Sequence, residues 1–201
     1  MKTKQVFEQL VTQSEWLRHF VMVGGSALSL RLGHRLSEDL DFFTYDQVVE
    51  PQTILSILPQ FTHSEIINQT HDQIDILLNQ VKVTFFNSCW SFLKPEQPQV
   101  CNIASLEAIA ALKAHVLFLR AKYRDYYDLY ILSQHLGLDT IFECAKAFIP
   151  GINTKLLSMA LVYTDDIEDE SISHLDPIET VSKEQIRQYF EKELAAMCEF
   201  K

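Results

Sequence analysis

The hydrophobic pattern at the start of the chain changes from the spacing of a helix to that of strands. Apolar side chains in residues 2–19 recur at intervals of three and four, which predicts an amphipathic helix. The apolar run Phe20–Val23 predicts a strand, which two glycines and Ser26 then interrupt. The next apolar stretch stops at Gly33, so we expect a tight turn and a short helix that ends with Gly33 in a left-handed conformation.

Residues 37–43, which read Ser-Glu-Asp-Leu-Asp-Phe-Phe, alternate acidic and apolar side chains. This alternation has the period of a half-buried strand. It predicts that Asp39 and Asp41 point to the same side of the chain, about 6.5–7 Å apart.

Alternation returns between residues 62 and 87 and predicts three strands, near residues 63–68, 73–78 and 81–86. Only Asn79 and Gln80 separate the last two strands, which suits a two-residue hairpin turn. Such a turn fixes the register of the hairpin and places Asp75 opposite Thr84.

The rest of the chain is predicted to be mainly helical. A short helix near residues 54–58 and a short strand at residues 100–103 precede a series of helices. These later helices are expected at residues 105–122, 125–135, 139–148, 154–163 and 182–200. The predicted fold class is therefore α+β, with an α/β core over residues 1–103 and a helical region over residues 104–201. No flexible linker separates the two parts, so we expect them to pack as one unit.

Composition adds three constraints. The formal net charge of −10 argues against a protein whose whole surface binds nucleic acid, although it leaves room for a local basic patch. No apolar run is long enough to cross a bilayer and no leader is visible, so we expect a cytoplasmic protein without a membrane partner. The four cysteines have no zinc-site spacing and are expected to be reduced.

Two charged stretches are open to ordinary interpretations. Arg120, Lys122 and Arg124 form the densest basic cluster, which either contacts a phosphate group or is a solvated helix end. The acidic run within residues 165–170 is expected to be a solvated loop.

The candidate chemistry lies in the turn at Gly24, Gly25 and Ser26 and in the acidic strand that follows it. Backbone N–H groups of a glycine turn that opens a helix approach an anion closely, although glycines also serve backbone geometry alone. Asp39 and Asp41 on one side of a strand provide oxygen ligands for a divalent metal ion. The two features on consecutive elements favour a phosphate and metal site more than either does alone.

Two sequence blocks resemble a known family. The first is GGSALSLRLGHRLSEDLDFF at residues 24–43, and the second is LEAIAALKAHVLFLRAKYRDYYDLYIL at residues 106–132. Both resemble the nucleotidyltransferase family of the AbiEii/AbiGii toxin type, within the DNA polymerase β-like nucleotidyltransferase superfamily. The resemblance implies a mixed β-sheet flanked by helices, followed by a helical C-terminal half.

The resemblance also implies roles for residues in the first block. Gly24, Gly25 and Ser26 would bind the triphosphate of an NTP substrate, and Asp39 and Asp41 would be catalytic residues that hold Mg²⁺.

In the same block, Arg35, with Arg31 and His34 beside it, would bind an anionic substrate group. Alternatively, Arg35 forms a structural salt bridge with Asp125 or Asp128.

In the second block, Lys113 would match a motif lysine that binds phosphate or stabilises the transition state. Asp125 is the preferred functional carboxylate, and Asp128 either contributes to the binding site or locks the helix pair. Taken without the resemblance, Lys113 would be a solvated helix lysine whose stem covers apolar surface.

One departure from the superfamily pattern concerns its third carboxylate. The position expected for it holds Thr84, and a hydroxyl is a poor substitute for a metal-bridging carboxylate. Because the hairpin register places Asp75 opposite Thr84, we hypothesise that Asp75 supplies the missing metal ligand.

The leading hypothesis is an Mg²⁺-dependent enzyme that transfers a nucleoside monophosphate from an NTP to an acceptor hydroxyl. The resemblance implies a toxin-like member of a toxin–antitoxin or phage-defence system, with RNA as a candidate acceptor and a cognate antitoxin as a partner. A protein or a small molecule is the other candidate acceptor. The competing hypothesis, motivated by Thr84, is a degenerate member of the same fold that binds a nucleotide or a protein without catalysis.

Overall fold

The computed structural model describes residues 2–120, 122–165, 167 and 171–199. Within the acidic run of residues 165–170 only Asp165 and Ile167 are described, so the predicted loop lies largely outside the described residues. Contacts divide the chain into two units. A sheet unit runs through Leu30 and resumes over Ser37–Ser105, and a helical unit comprises Arg31–Leu36 and the chain from Leu106 onward.

The sheet unit contains a mixed six-stranded sheet. Its strands lie in the order β3-β4-β5-β2-β1-β6, with β2/β5 and β1/β6 parallel and the other neighbours antiparallel. The strands are β1 (Phe20–Val23), β2 (Leu40–Thr44), β3 (Ser64–Gln69), β4 (Gln73–Leu78), β5 (Val81–Phe86) and β6 (Asn102–Ile103). The predicted α+β class with a mixed sheet is confirmed.

Three helices accompany these strands: α1 (Lys2–Gln13), α2 (Gly24–Leu32) and α3 (Pro51–Leu55). The predicted first helix ends early, because residues 15–19 continue as a 3₁₀ helix. Helix α2 starts at Gly24, so the glycines form its first turn, and Gly33 follows it with a φ of +61° as predicted. Helix α3 starts at Pro51, where proline needs no intrahelical donor.

A cluster of aromatic side chains in the core of the sheet unit lies on one face of the sheet. Strand β2 alternates buried and half-buried positions, as predicted, and its buried Phe42 stacks on Phe85 of β5 with ring centroids 5.4 Å apart. Trp16 and Phe20 meet Phe85 on this face at 5.4 and 5.3 Å. The opposite face of β2 therefore carries Asp41 and Phe43.

The β4–β5 hairpin has the predicted bounds, turn and register. Asn79 and Gln80 have φ values of +48° and +72°, as a type I′ turn requires. His63 donates its N–H to the side chain of Asn79 at 3.1 Å, which holds the turn against the adjacent strand.

The helical unit contains α4 (Leu106–Val116), α5 (Tyr123–Leu136), α6 (Leu138–Phe148), α7 (Thr154–Val162) and α8 (Lys183–Glu199). The prediction that the first of these helices extends to residue 122 was wrong. It ends at Val116, and residues 117–119 form a turn in which Phe118 and Leu119 are 39% and 70% exposed. No helix among the described residues is both long and apolar enough to span a membrane.

Candidate active site

Three polar side chains form one row on the sheet face opposite the apolar core. Asp41 of β2 pairs with Thr84 of β5, and Thr84 pairs with Asp75 of β4. Directly paired residues of adjacent strands project from the same face. Since neighbouring strands lie about 4.8 Å apart, Asp75 lies two strand spacings from Asp41, with Thr84 between them.

Asp41 lies against the backbone at the start of α2. Val23, the last residue of β1, pairs with Asp41, and Gly24 follows at the first position of the helix. A Cβ atom on Gly24 would come within 2.6 Å of the Asp41 Oδ2 atom, and the φ of Gly24 is +71°. Glycine is thus required here for both space and conformation. The adjacent helix N-terminus favours a negative charge at this position.

Ser26 ties α2 to the segment that leads into β2. Its hydroxyl group donates to the backbone carbonyl of Asp39, which immediately precedes β2, and Ser26 is 6% exposed. Ser26 therefore helps to set the position of Asp39, in addition to lying in the turn predicted to bind phosphate.

Asp75 is held by three neighbours on its face of the sheet. It accepts hydrogen bonds from the Thr84 hydroxyl at 2.8 Å and from Gln73 Nε2 at 3.0 Å. Lys82 Nζ lies 3.6 Å from Asp75 Oδ2. The predicted register with Thr84 is confirmed, and Asp75 shares a face with Asp41. Among the described residues, however, Asp75 is not grouped closely enough with Asp39 and Asp41 to share a metal ion with them as hypothesised.

The Asp41 carboxylate suits a metal ion that arrives with its substrate. Among the described residues, no three or more His, Cys, Asp or Glu side chains are grouped closely enough to hold a metal ion. Mg²⁺ in phosphoryl-transfer sites is usually held by one or two carboxylates together with water and substrate phosphates. The Asp41 carboxylate offers hard oxygen atoms of this kind, and it lies so close to the backbone of Gly24 that a Cβ there would meet its Oδ2 atom at 2.6 Å.

A second cluster, in the helical unit, is centred on Asp128 of α5. Arg35 donates from Nε to Oδ1 and from Nη2 to Oδ2 of Asp128, both at 2.7 Å. His34 Nε2 lies 2.8 Å from the same Oδ1 atom, and Lys113 Nζ lies 2.6 Å from Oδ2. Asp128 and His34 are fully buried and Arg35 is 4% exposed, so the cluster forms a buried clamp. Of the two roles considered for Arg35, the bridge to Asp128 is the one present.

Asp125 extends this cluster by one helical turn. It accepts a hydrogen bond from Lys113 Nζ at 2.9 Å and another from Arg120 Nε at 2.8 Å. Lys113 thus bridges Asp125 and Asp128 and is only 5% exposed, which differs from a solvated helix lysine. Arg120 lies in the segment between α4 and α5 and ties this segment to Asp125 at the start of α5.

The basic cluster that the sequence indicated is divided in the structure. Arg120 bonds to Asp125, whereas Lys122 and Arg124 line a cavity of about 210 Å³ with four further residues. Those residues are Ser171, Ile172, His174 and Leu175.

The family model of the nucleotidyl transferase AbiEii toxins, from type IV toxin–antitoxin systems, matches residues 6–86 and 73–199. The chain belongs to the AbiEii family. As a member it is a nucleotidyltransferase, an enzyme that transfers a phosphorus-containing group, and the resemblance found in its sequence is confirmed.

This AbiEii family member is also similar to further proteins in sequence and in structure. It is 29% identical over 184 residues to an uncharacterized protein of Aquifex aeolicus (strain VF5), covering 86% of this chain and 88% of that protein. JHP933 of Helicobacter pylori is similar in structure, with a TM-score of 0.50 and 19% identity over 98% of this chain and 94% of its own. The antibiotic-resistance factor ANT(2″)-Ia has a TM-score of 0.56 and 16% identity over 74% of this chain and 92% of its own. At these identities the two structures show a shared fold.

Both aspartates of α5 have lowered pKa values in this AbiEii family member. Burial raises the pKa of Asp128, but the charges of Lys113 and Arg35 and the hydrogen bond from His34 outweigh it and hold the pKa far below its ordinary value. Burial likewise raises the pKa of Asp125, and Lys113 and Arg120 more than compensate. Both carboxylates are therefore ionised at neutral pH.

Contacts of Asp75 and of Asp128 were missed by reasoning from the sequence. Gln73 and Lys82 both contact Asp75, and strand alternation places them on the same face as Asp75 and Thr84, so the hairpin register contained the signal. His34 contacts Asp128 across 94 residues of sequence, a separation that leaves no local signal.

Proposed function

We propose that this nucleotidyltransferase uses Mg²⁺ to transfer a nucleoside monophosphate from an NTP to an acceptor hydroxyl, and that the acceptor is RNA. The acceptor oxygen attacks the α-phosphorus, the bond between the α-phosphorus and its bridging oxygen breaks, and pyrophosphate leaves. The acceptor proton passes to solvent. The observation that carries the proposal is the Asp41 carboxylate, held against Gly24 at the N-terminus of α2.

In this proposal the first turn of α2 binds the triphosphate. The backbone of Gly24, Gly25 and Ser26 opens a nine-residue helix, and N–H groups at such a position favour anions. Asp39 and Asp41 would hold Mg²⁺, which when bound would supply positive charge to balance the charge that develops on the transferred nucleotidyl group. Ser26 keeps Asp39 beside the turn through its bond to the Asp39 carbonyl.

Asp75 completes the negative charge of the row. It lies on the same face as Asp41, and its carboxylate acts from the far side of Thr84, whose hydroxyl donates to it. We expect its removal to lower activity less than the removal of Asp41, because Asp41 is the residue beside the triphosphate site.

Lys113 and Asp125 are assigned to the acceptor side by the family resemblance. The buried ion pair supports this role because it fixes both groups in position, and preorganised groups need little rearrangement during reaction. We assign Asp128 and Arg35 a positioning role, since each is buried and bonded to the other.

The family context supports a partner protein. The matching model describes toxins of type IV toxin–antitoxin systems, so we propose a toxic activity with a cognate antitoxin. We also propose that the protein acts in the cytoplasm, where NTP and RNA are both present.

The test is transfer of label from each of the four α-labelled NTPs, with Mg²⁺ and total cellular RNA. We expect labelled RNA with the wild type, none with Asp41→Asn, and a reduced rate with Asp75→Asn. Asp46→Asn is the matched control, because Asp46 is an exposed acid shortly after β2 and outside the row.

Two results would contradict the proposal. If RNA stays unlabelled and a protein becomes labelled in an RNA-free extract, the acceptor is a protein and not RNA. No labelled product together with Mg²⁺-independent nucleotide binding would favour the non-catalytic binding member.

A further inference from the structure

Four aromatic side chains lie beside the carboxylate row on the same face of the sheet. Phe43 follows Asp41 by two residues on β2, and Phe86 follows Thr84 by two on β5, so both project to the Asp41 face. The separation along each strand is about 6.5–7 Å. We call Phe43, Phe86, Trp90 and Phe92 the aromatic platform.

The rings of the platform contact one another in sequence. Phe43 and Phe86 pack edge to face with centroids 5.1 Å apart, and Trp90 meets them at 5.8 and 6.0 Å. Phe92 stacks on Trp90 at 5.6 Å and 22°. All four residues are half-buried, whereas Phe42 on the opposite face is fully buried. The platform thus keeps part of its aromatic surface accessible.

Trp90 is held in place by the end of β2. Its N–H donates to the Thr44 carbonyl at 3.3 Å, and the N–H of Cys89 donates to the Thr44 hydroxyl at 3.0 Å. Ser88 donates its hydroxyl to the same carbonyl at 2.7 Å. Cys89 has a φ of +50°, a conformation that non-glycine residues seldom adopt. These bonds fix the backbone that carries the indole ring.

We infer that the aromatic platform binds the base of the NTP whose triphosphate lies at Asp41. This inference rests on the proposed function. A nucleotide base is separated from its 5′ phosphates by one ribose, and the platform is separated from the carboxylate row by one same-face position on each strand. Stacking on aromatic rings accepts any base, because every base has a π face.

The polar neighbours of the platform also suit a base. Gln73 pairs with Phe86 in the row of rings and donates to Asp75 in the carboxylate row, so one amide joins the two rows. A base has apolar faces and polar edges, and this surface combines rings with an amide. The continuity with Asp41 favours a nucleotide here over a protein segment.

The first test is the Trp90→Leu variant of the full chain, assayed for NMP transfer with Mg²⁺ and RNA. Loss of stacking should raise KM for the NTP on the order of tenfold and leave kcat near the wild-type value. Trp90→Tyr retains an aromatic ring and should stay close to the wild type. Trp16→Leu is the control, because Trp16 is the other of two tryptophans and packs on Phe85 at the opposite face.

The second test measures binding without catalysis. In Trp16→Phe, Trp90 is the only tryptophan, so MgATP should quench its fluorescence whereas inorganic tripolyphosphate with Mg²⁺ should not. If ATP quenches the fluorescence but the protein transfers no NMP, the platform binds a base and the proposed function is wrong. Normal transfer with an unchanged KM in Trp90→Leu and no quenching would overturn the platform and leave the proposed function standing. A raised KM for RNA alone would also overturn it.

Discussion

Gly24 shows how much one residue contributes to the candidate site. A glycine that opens a helix is expected to serve an anion, and the structure adds the Asp41 carboxylate directly over its backbone. Because a Cβ atom at this position meets Asp41 Oδ2, glycine and aspartate depend on each other. The sequence indicated both residues but gave no indication of their contact, which depends on the β1–β2 pairing.

We predict that Gly24→Ala loses nearly all transferase activity. The substitution strains a backbone with a φ of +71°, which costs about 1–2 kcal/mol, and pushes the Asp41 carboxylate away from the helix terminus. Gly33→Ala is the matched control, because Gly33 has a φ of +61° but no atom within 4 Å of the added Cβ. Urea unfolding should show a loss of stability in both variants, larger in Gly24→Ala because of the added contact with Asp41, and NMP transfer should be lost in Gly24→Ala alone. Equal activities would contradict the role given to this contact.

Helix α5 uses two aspartates for different tasks. Asp125 and Asp128 are three positions apart, a spacing that places both on one side of a helix. Asp125 binds Lys113 of α4 and Arg120 of the loop, whereas Asp128 also binds Arg35 in the segment before β2. The family motif could predict that both acids matter, but only the structure separates their partners.

We predict that Asp128→Asn destabilises the protein by about 3–5 kcal/mol, because it leaves the buried guanidinium of Arg35 and the ammonium of Lys113 without their shared charge. Urea unfolding measures this change. Glu191→Gln in α8 is the control, since Glu191 meets Arg187 at 3.7 Å in an exposed pair and should leave the stability close to wild type. A similar small effect in both variants would contradict the clamp.

Elements with local rules were predicted best. The β4–β5 hairpin matched at both strands and in register because a two-residue turn fixes the pairing. The end of α4 was missed, since no glycine or proline marks it in the sequence and apolar residues continue through Leu119.

At the scale of the whole molecule, Arg31–Leu36 belongs to the helical unit although the sheet unit flanks it in sequence. Leu36 donates its N–H to Leu175 at 2.7 Å, and His34 accepts one from Ile178 at 2.9 Å. Such contacts join residues far apart in the chain. The hydrophobic pattern and the helix and strand propensities are local properties of the sequence. They therefore predict the helices and strands well, but they do not predict that residues 31–36 join the helical unit.

We predict that stability falls steeply in acid. The pKa values of Asp125 and Asp128 are lower in the folded chain than in the unfolded chain, so both stabilise the fold fully above about pH 4. That stabilisation is lost as the pH falls toward the folded values. Urea unfolding from pH 7 to pH 3 should show the decline, with a shallower slope in Asp128→Asn. An identical slope would contradict the assignment of the lowered pKa to Asp128.

The most direct test of the account compares α-labelled and γ-labelled NTP in the same transfer reaction with RNA. NMP transfer predicts that label from the α position appears on the RNA, that label from the γ position appears only in pyrophosphate, and that Asp41→Asn gives neither. Label from the γ position on the RNA, or undiminished α transfer by Asp41→Asn, would contradict the account.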